Sequence, residues 1–123
     1  AELCIGAVEL LKELKNVVKY IASGSDQSEL RNVFRSKSLG SYFKAIYGSP
    51  RSKIDLVKDI CNRHEGQDIL MIGDAYADFL AAKHAQIDFL YVERYSNDKS
   101  NMKRLSIKEN FSSILDLSAI IGK

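Results

Sequence analysis

The chain has 123 residues, 46% of them hydrophobic, one proline and a formal net charge of +2, which describes a single soluble domain, 1–123, long enough to bury a core. Lysines and arginines alternate with acids instead of forming a stripe, which argues against a nucleic-acid partner. No apolar run approaches a membrane span, and the first residues lack the basic-then-apolar pattern of a signal peptide. Cys4 and Cys61 sit in apolar surroundings with no second cysteine nearby and read as reduced thiols of a cytoplasmic protein, a disulfide between them staying open.

Apolar positions Leu3, Ala7, Leu10, Leu11 and Leu14 recur at helical spacing, with Glu9, Lys12, Glu13 and Lys15 mostly on the other side, so an amphipathic helix ended by Asn16 is predicted. Val17 to Ala22 is a β-branched and aromatic run that stops at Ser23-Gly24-Ser25, a strand feeding a polar loop. Asp26 is placed to cap a helix with Glu29 in its first turn and Leu30, Val33 and Phe34 on its buried face. A short strand over Phe43 to Tyr47 closes at Gly48-Ser49-Pro50. Helical periodicity resumes at Ser52, with Ile54, Val57, Ile60 and Cys61 turned inward until Gly66.

Ile69 to Ile72 reads as a strand, followed by a helix through about His84 and a further strand over Ile87 to Val92. From Glu93 to about Lys108 the chain is rich in Ser, Asn, Lys and Arg, a surface excursion in which Lys99, Lys103, Arg104 and Lys108 solvate a loop. Phe111, Ile114, Leu115, Leu117, Ile120 and Ile121 predict a closing helix ended by Gly122. Strands alternating with helices predict an α/β fold of three layers, a Rossmann-like parallel sheet with helices on both faces.

The segment Ile69 to Asp78 is the most informative. An apolar run suited to a strand covered on both faces ends in a Gly73-Asp74 turn at the edge where open α/β sheets gather ligands. Asp74 and Asp78 lie about one turn apart on the same side of the following helix. Two acids so placed repel unless a cation, a lysine or a proton compensates, and Mg2+ with oxygen ligands is the natural cation. The plain alternative is a helix cap at Asp74 with Asp78 a solvated first-turn acid.

Three separated motifs then line up with a family. Ser23 at a strand end, Lys53 after Gly48-Ser49-Pro50, and Gly73-Asp74 with Asp78 resemble the second, third and fourth motifs of the haloacid dehalogenase (HAD) superfamily in order and spacing. Gly6 to Leu11 resembles the helix before the second motif. Ser23 to Arg31 and Tyr47 to Lys53 resemble the branch related to phosphoglycolate phosphatases. The resemblance covers roughly residues 5 to 92. It implies Mg2+-dependent hydrolysis of a small phosphate monoester by an aspartate nucleophile. On this resemblance Ser23 and the Gly24 amide hold phosphoryl oxygens, an arrangement fixed before charge develops. Lys53 offsets charge between nucleophile and phosphate, Asp74 binds the metal, and Asp78 binds it through water or orients Lys53. The family also often uses the loop after the next strand, here Tyr91 to Tyr95.

The family's first motif, Asp-x-Asp at the end of a central first strand, is absent: no aspartate precedes Asp26, which is followed two places on by Ser28. Asp55 and Asp59 lie on a helix whose apolar face is spent on the core and read as solvated, as His64 and His84 read as structural. Two expectations follow. Either the sequence is the portion of a longer phosphatase that follows the cap, or it is a catalytically silent HAD-like binding or regulatory module, the former being favoured because the remaining site residues have no evident packing role. Alone, the chain is expected not to hydrolyse phosphate esters. A core without its first strand leaves edges on the strands carrying Ser23 and Asp74, so a homodimer through those edges is a further expectation. A receiver-module reading is disfavoured, because the lysine precedes the only strand-end aspartate.

Overall fold

The computed structural model describes residues 13–14, 16–94 and 96–117. Its elements run β1 (Tyr20–Asp26), α1 (Gln27–Ser36), a 3-10 turn (Gly40–Tyr42), β2 (Ala45–Ser49), α2 (Lys53–Arg63), β3 (Leu70–Gly73), α3 (Tyr76–Ala85), β4 (Asp88–Val92), α4 (Lys99–Glu109) and β5 (Ser112–Ile114). Among the described residues all strand pairs are parallel, as the alternation requires. The fold is the expected α/β arrangement with helices on both sides: the right-handed crossover rule puts α1 on one face and the helices that follow β3 and β4 on the other.

Local chemistry explains the boundaries. The Asp26 carboxylate accepts from the Glu29 amide at 3.0 Å and starts α1; the Ser52 hydroxyl accepts from the Asp55 amide at 3.1 Å and starts α2. Gln86 (φ 59°) and Asn110 (φ 58°) end α3 and α4 in the left-handed conformation, with their amides bonded back to the last turn. Leu56, Val57 and Ile60 form the buried stripe of α2. A second core joins Phe79 and Ala82 of α3, Phe89 and Tyr91 of β4 and Met102 of α4, with Phe111 meeting Phe79 at 5.2 Å and Phe89 at 5.1 Å between ring centres.

The sheet is in two pieces. One has the order β1-β2 and the other β3-β4-β5, and no described strand joins β1 to β3. Helix α2, which packs on β1, β2 and α3, carries the chain from one piece to the other. Leu70 is 54% and Ile72 38% exposed, both on the face opposite Met71, which packs into the Phe79 core. The family resemblance leads to the expectation of a further strand between the strands carrying Ser23 and Asp74.

Several sequence expectations need correction. β1 begins at Tyr20, not Val17, and runs on through Ser23-Gly24-Ser25 to Asp26. The segment 93–108 is not all surface loop, since α4 occupies Lys99–Glu109 and buries Met102. Its inward stripe is only Met102 and Leu105, too thin to register as a periodicity. Ser112–Ile114 is a strand instead of the start of a closing helix: the register Leu90↔Ser112 to Val92↔Ile114 satisfies β4, and pairing overrides the helical spacing of Phe111, Ile114 and Leu115. The predicted first helix falls mainly, and the end of the closing helix wholly, outside the described residues, as does Cys4.

Candidate active site

The carboxyl ends of β1, β2 and β3 carry the candidate residues. After Ala22↔Tyr47 the β1-β2 register slips and is regained at Asp26↔Ser49, so the Ser23-Gly24-Ser25 stretch bows out of the ladder. The Ser23 hydroxyl oxygen accepts from the Ser25 amide at 3.1 Å, which fixes the side chain and leaves its O–H to donate elsewhere. Gly24 is exposed, and a Cβ built there meets nothing. Gly48 has the opposite situation: a Cβ there would overlap the Ser25 carbonyl oxygen, so only glycine lets β2 pass this close to the bowed segment. Beyond it the chain turns through a cis Ser49–Pro50 bond into α2, whose first residue is Lys53.

The ammonium of Lys53 crosses to Asp78, with Nζ to Oδ1 at 2.6 Å, the side chains being 21% and 9% exposed. The other carboxylate oxygen of Asp78, Oδ2, accepts from the amides of Asp74 at 3.1 Å and Ala75 at 3.2 Å. Asp78 thus holds the Gly73-Asp74 turn and the lysine together, and it does so from a buried position that only glycine at 73 permits, because a Cβ on residue 73 would overlap the Asp78 side chain. Two of the residues singled out from the sequence, Lys53 and Asp78, are thus in direct contact. Use of Asp78 as a metal ligand competes with three bonds already made.

Burial pushes the Asp74 carboxyl above the usual carboxylate range, and the negative charge of Asp78 adds to this, while its own backbone amide and Lys53 pull the other way. Because the folded carboxyl holds its proton more tightly than the unfolded chain does, the destabilisation is complete above the folded pKa and vanishes as pH falls below the unfolded one. Asp74→Asn is therefore expected to be more stable than the wild type at about pH 7, with the difference closing toward about pH 3. Urea unfolding at the two pH values checks this; a constant difference would mean that the carboxyl does not feel its surroundings.

The residues present make an incomplete Mg2+ site. Asp74 is an oxygen donor whose charge is poorly compensated, but Asp78 is engaged. Among the described residues no three His, Cys, Asp or Glu side chains are grouped to hold a metal. Lys53, Asp74 and Asp78 are brought together; Ser23 and Gly24 lie at the same sheet end on β1, and among the described residues no hydrogen bond links Ser23 to the other three. Sequence reasoning passed over one anchor at the opposite end of β1, where the Tyr20 hydroxyl meets His64 Nε2 at 2.8 Å and His64 Nδ1 meets Gln67 Oε1 at 2.9 Å. This keeps His64 in a structural role.

A family model described as haloacid dehalogenase-like hydrolase matches residues 1–86. The chain belongs to that family. Two solved structures share the fold of this HAD-like chain. A HAD-superfamily hydrolase from Ehrlichia chaffeensis superposes with a TM-score of 0.75 at 22% identity, over 97% of this chain and 56% of that one. A haloacid dehalogenase-like hydrolase from Streptococcus pneumoniae superposes with a TM-score of 0.76 at 22% identity, over 91% of this chain and 55% of that one. This HAD-like chain thus spans little more than half the length of the structures it matches. No curated protein matches it.

Proposed function

We propose that this chain is the phosphate-binding half of a HAD-type phosphohydrolase, of the branch related to phosphoglycolate phosphatases, acting on a small phosphate monoester. The observation that carries the reading is the Lys53–Asp78–Asp74 cluster, built at the carboxyl edge of β3 beside the break between the two pieces of sheet. Such a cluster has no packing purpose: a charged pair this buried stabilises little by itself against an apolar pair of the same size, so its retention points to chemistry.

In the complete protein the break is filled by a strand ending in Asp-x-Asp. Its leading carboxylate attacks phosphorus, the bond from phosphorus to the ester oxygen breaks as the new bond to the carboxylate forms, and the second aspartate of that motif protonates the departing oxygen, then takes a proton from the water that attacks phosphorus and frees phosphate and the carboxylate. Lys53, held by Asp78, lowers the repulsion between the attacking carboxylate and the phosphoryl oxygens. Ser23 donates its hydroxyl proton, and the Gly24 amide adds a second donor, to oxygens on which charge builds. Asp74 would be one oxygen ligand of Mg2+ and a first-motif aspartate another, and the bound ion would supply neutralisation of phosphoryl charge. Substrate choice rests with a cap outside this sequence.

The compartment that fits is the cytoplasm: among the described residues Cys61 is in no disulfide, as reducing conditions would leave it. Among the described residues no helix is long and apolar enough to cross a membrane.

The test is to read the frame upstream of Ala1, take the intact mass of the native product, and assay p-nitrophenyl phosphate hydrolysis with Mg2+ by that product and by residues 1–123. A longer product that turns over, beside an inactive 1–123 chain, is the expected result. Turnover by the homogeneous 1–123 chain would sink the assignment of the nucleophile to the missing strand. A native product beginning at Ala1 and inactive would favour a silent binding module instead.

A further inference from the structure

A second cluster at the same sheet end has no part in the mechanism above. A cavity of about 200 Å3 opens between the ends of β4 and β5 and the start of α4, lined by Tyr91, Glu93, Lys99, Ser100, Lys103 and Ser113. Tyr91 is 2% exposed, and its hydroxyl is buried without a hydrogen-bond partner, a desolvated donor that a bound oxygen would satisfy. Tyr91 and Ser113 are register partners, so their side chains leave the sheet side by side on the face that α4 covers.

The start of α4 is left open. Asp98 gives it no side-chain cap, because that carboxylate accepts from Asn101 Nδ2 at 2.9 Å, and the first amide to reach the Asp98 carbonyl is that of Met102 at 3.0 Å. The amides of Ser100 and Asn101 have no acceptor among the described residues. Lys99 and Lys103 add positive charge where the helix dipole already disfavours it, and neither forms an ion pair among the described residues. Lys99 and Lys103, Ser100 with its open amide, Ser113 and the buried Tyr91 line one concavity.

We propose that this cavity binds a small oxyanion, the phosphate or carboxylate group of a metabolite, at a site separate from the Lys53–Asp78 cluster. The lysines and the first-turn amides hold the anionic oxygens, the Tyr91 hydroxyl donates to one of them, and Glu93 accepts from a hydroxyl of the same ligand. Glu93 also leaves the lining with one net positive charge, which suits a mono- or dianion and disfavours a polyanion. Tyr91 pairs with Gly73 across β3-β4, so the site lies about 5–10 Å along the sheet from the Asp74 turn.

Titration of the 15N-labelled chain with inorganic phosphate and with acetate, against chloride at matched ionic strength, tests this. The amides of Ser100 and Asn101 are expected to shift saturably with an oxyanion and not with chloride. Saturation by phosphate alone assigns a phosphate ligand, and saturation by acetate alone a carboxylate. Lys99→Gln with Lys103→Gln is expected to weaken binding at least ~10-fold, and Tyr91→Phe, which only removes an unpartnered hydroxyl and so leaves the fold intact, ~5-fold. Absence of a saturable shift, or an affinity unchanged in either variant, overturns the proposal and leaves the cavity to water.

Discussion

Replacing Lys53 by methionine is expected to lower turnover of the complete enzyme by at least ~100-fold and to destabilise the fold by about 2–3 kcal/mol. The two effects have one origin. The Asp78 side chain is 9% exposed beside the Lys53 ammonium, and the methionine variant keeps the burial but removes the cation. Loss of one partner of a fully buried pair costs about 3–5 kcal/mol; here the amides of Asp74 and Ala75 stay on Oδ2 and the lysine keeps some contact with water, which brings the cost down to about 2–3 kcal/mol. In turnover the loss is of a positive charge poised before reaction, which water replaces poorly because it must reorient.

Lys53→Arg is not expected to rescue, since the planar fork cannot put a point charge where the ammonium sits 2.6 Å from Oδ1. A double-mutant cycle with Asp78→Asn separates the two roles: stability terms should couple strongly, whereas the turnover lost with Lys53 should persist when Asp78 is already changed. Unchanged stability and unchanged turnover in Lys53→Met would remove the basis for the site.

That cluster was legible in the sequence because its chemistry is local. A four-residue apolar strand, a glycine turn and acids at a one-turn spacing single out Asp74 and Asp78, a helix cap staying the plain alternative until Ser23 and Lys53 are read with them, and Lys53 stands where a helix start disfavours a cation. The orientation of Asp78 was open in the sequence, because its acceptors, the amides of its own turn, are visible only once Gly73 is seen to leave room for the carboxylate. The strand alternation from β1 to β4 was equally legible. What the sequence hid was decided by pairing at a distance: Ser112–Ile114 is a strand because β4 offers an edge, and Lys99–Glu109 is a helix whose burial rests mainly on Met102 and Leu105. The Tyr91 cavity was equally hidden, since it needs the ends of β4, β5 and α4 together.

Supplying the strand that the break lacks is expected to raise Tm by about 10 °C or more when it is joined in frame upstream of this chain. The edges of β1 and β3 each present a row of amides and carbonyls with no described partner, and a parallel strand between them forms two ladders at once. Each hydrogen bond so gained contributes about 0.5–1.5 kcal/mol net, and side chains on the new strand lie roughly 5 Å from Leu70 and Ile72 and cover them in part, adding about 2–3 kcal/mol. The cost is the ordering of a short segment, which is smallest when the segment is tethered; the same sequence given as a free peptide also loses translational freedom and should stabilise less. Without the strand the open edges favour pairing between copies, so the 1–123 chain is expected to self-associate with rising concentration and the strand-bearing chain to stay monomeric. Thermal scans and light scattering on the two chains measure both effects. A monomeric 1–123 chain whose Tm is indifferent to the added strand would show that β1 and β3 close on each other in solution, and that the Lys53–Asp78–Asp74 cluster needs no central partner.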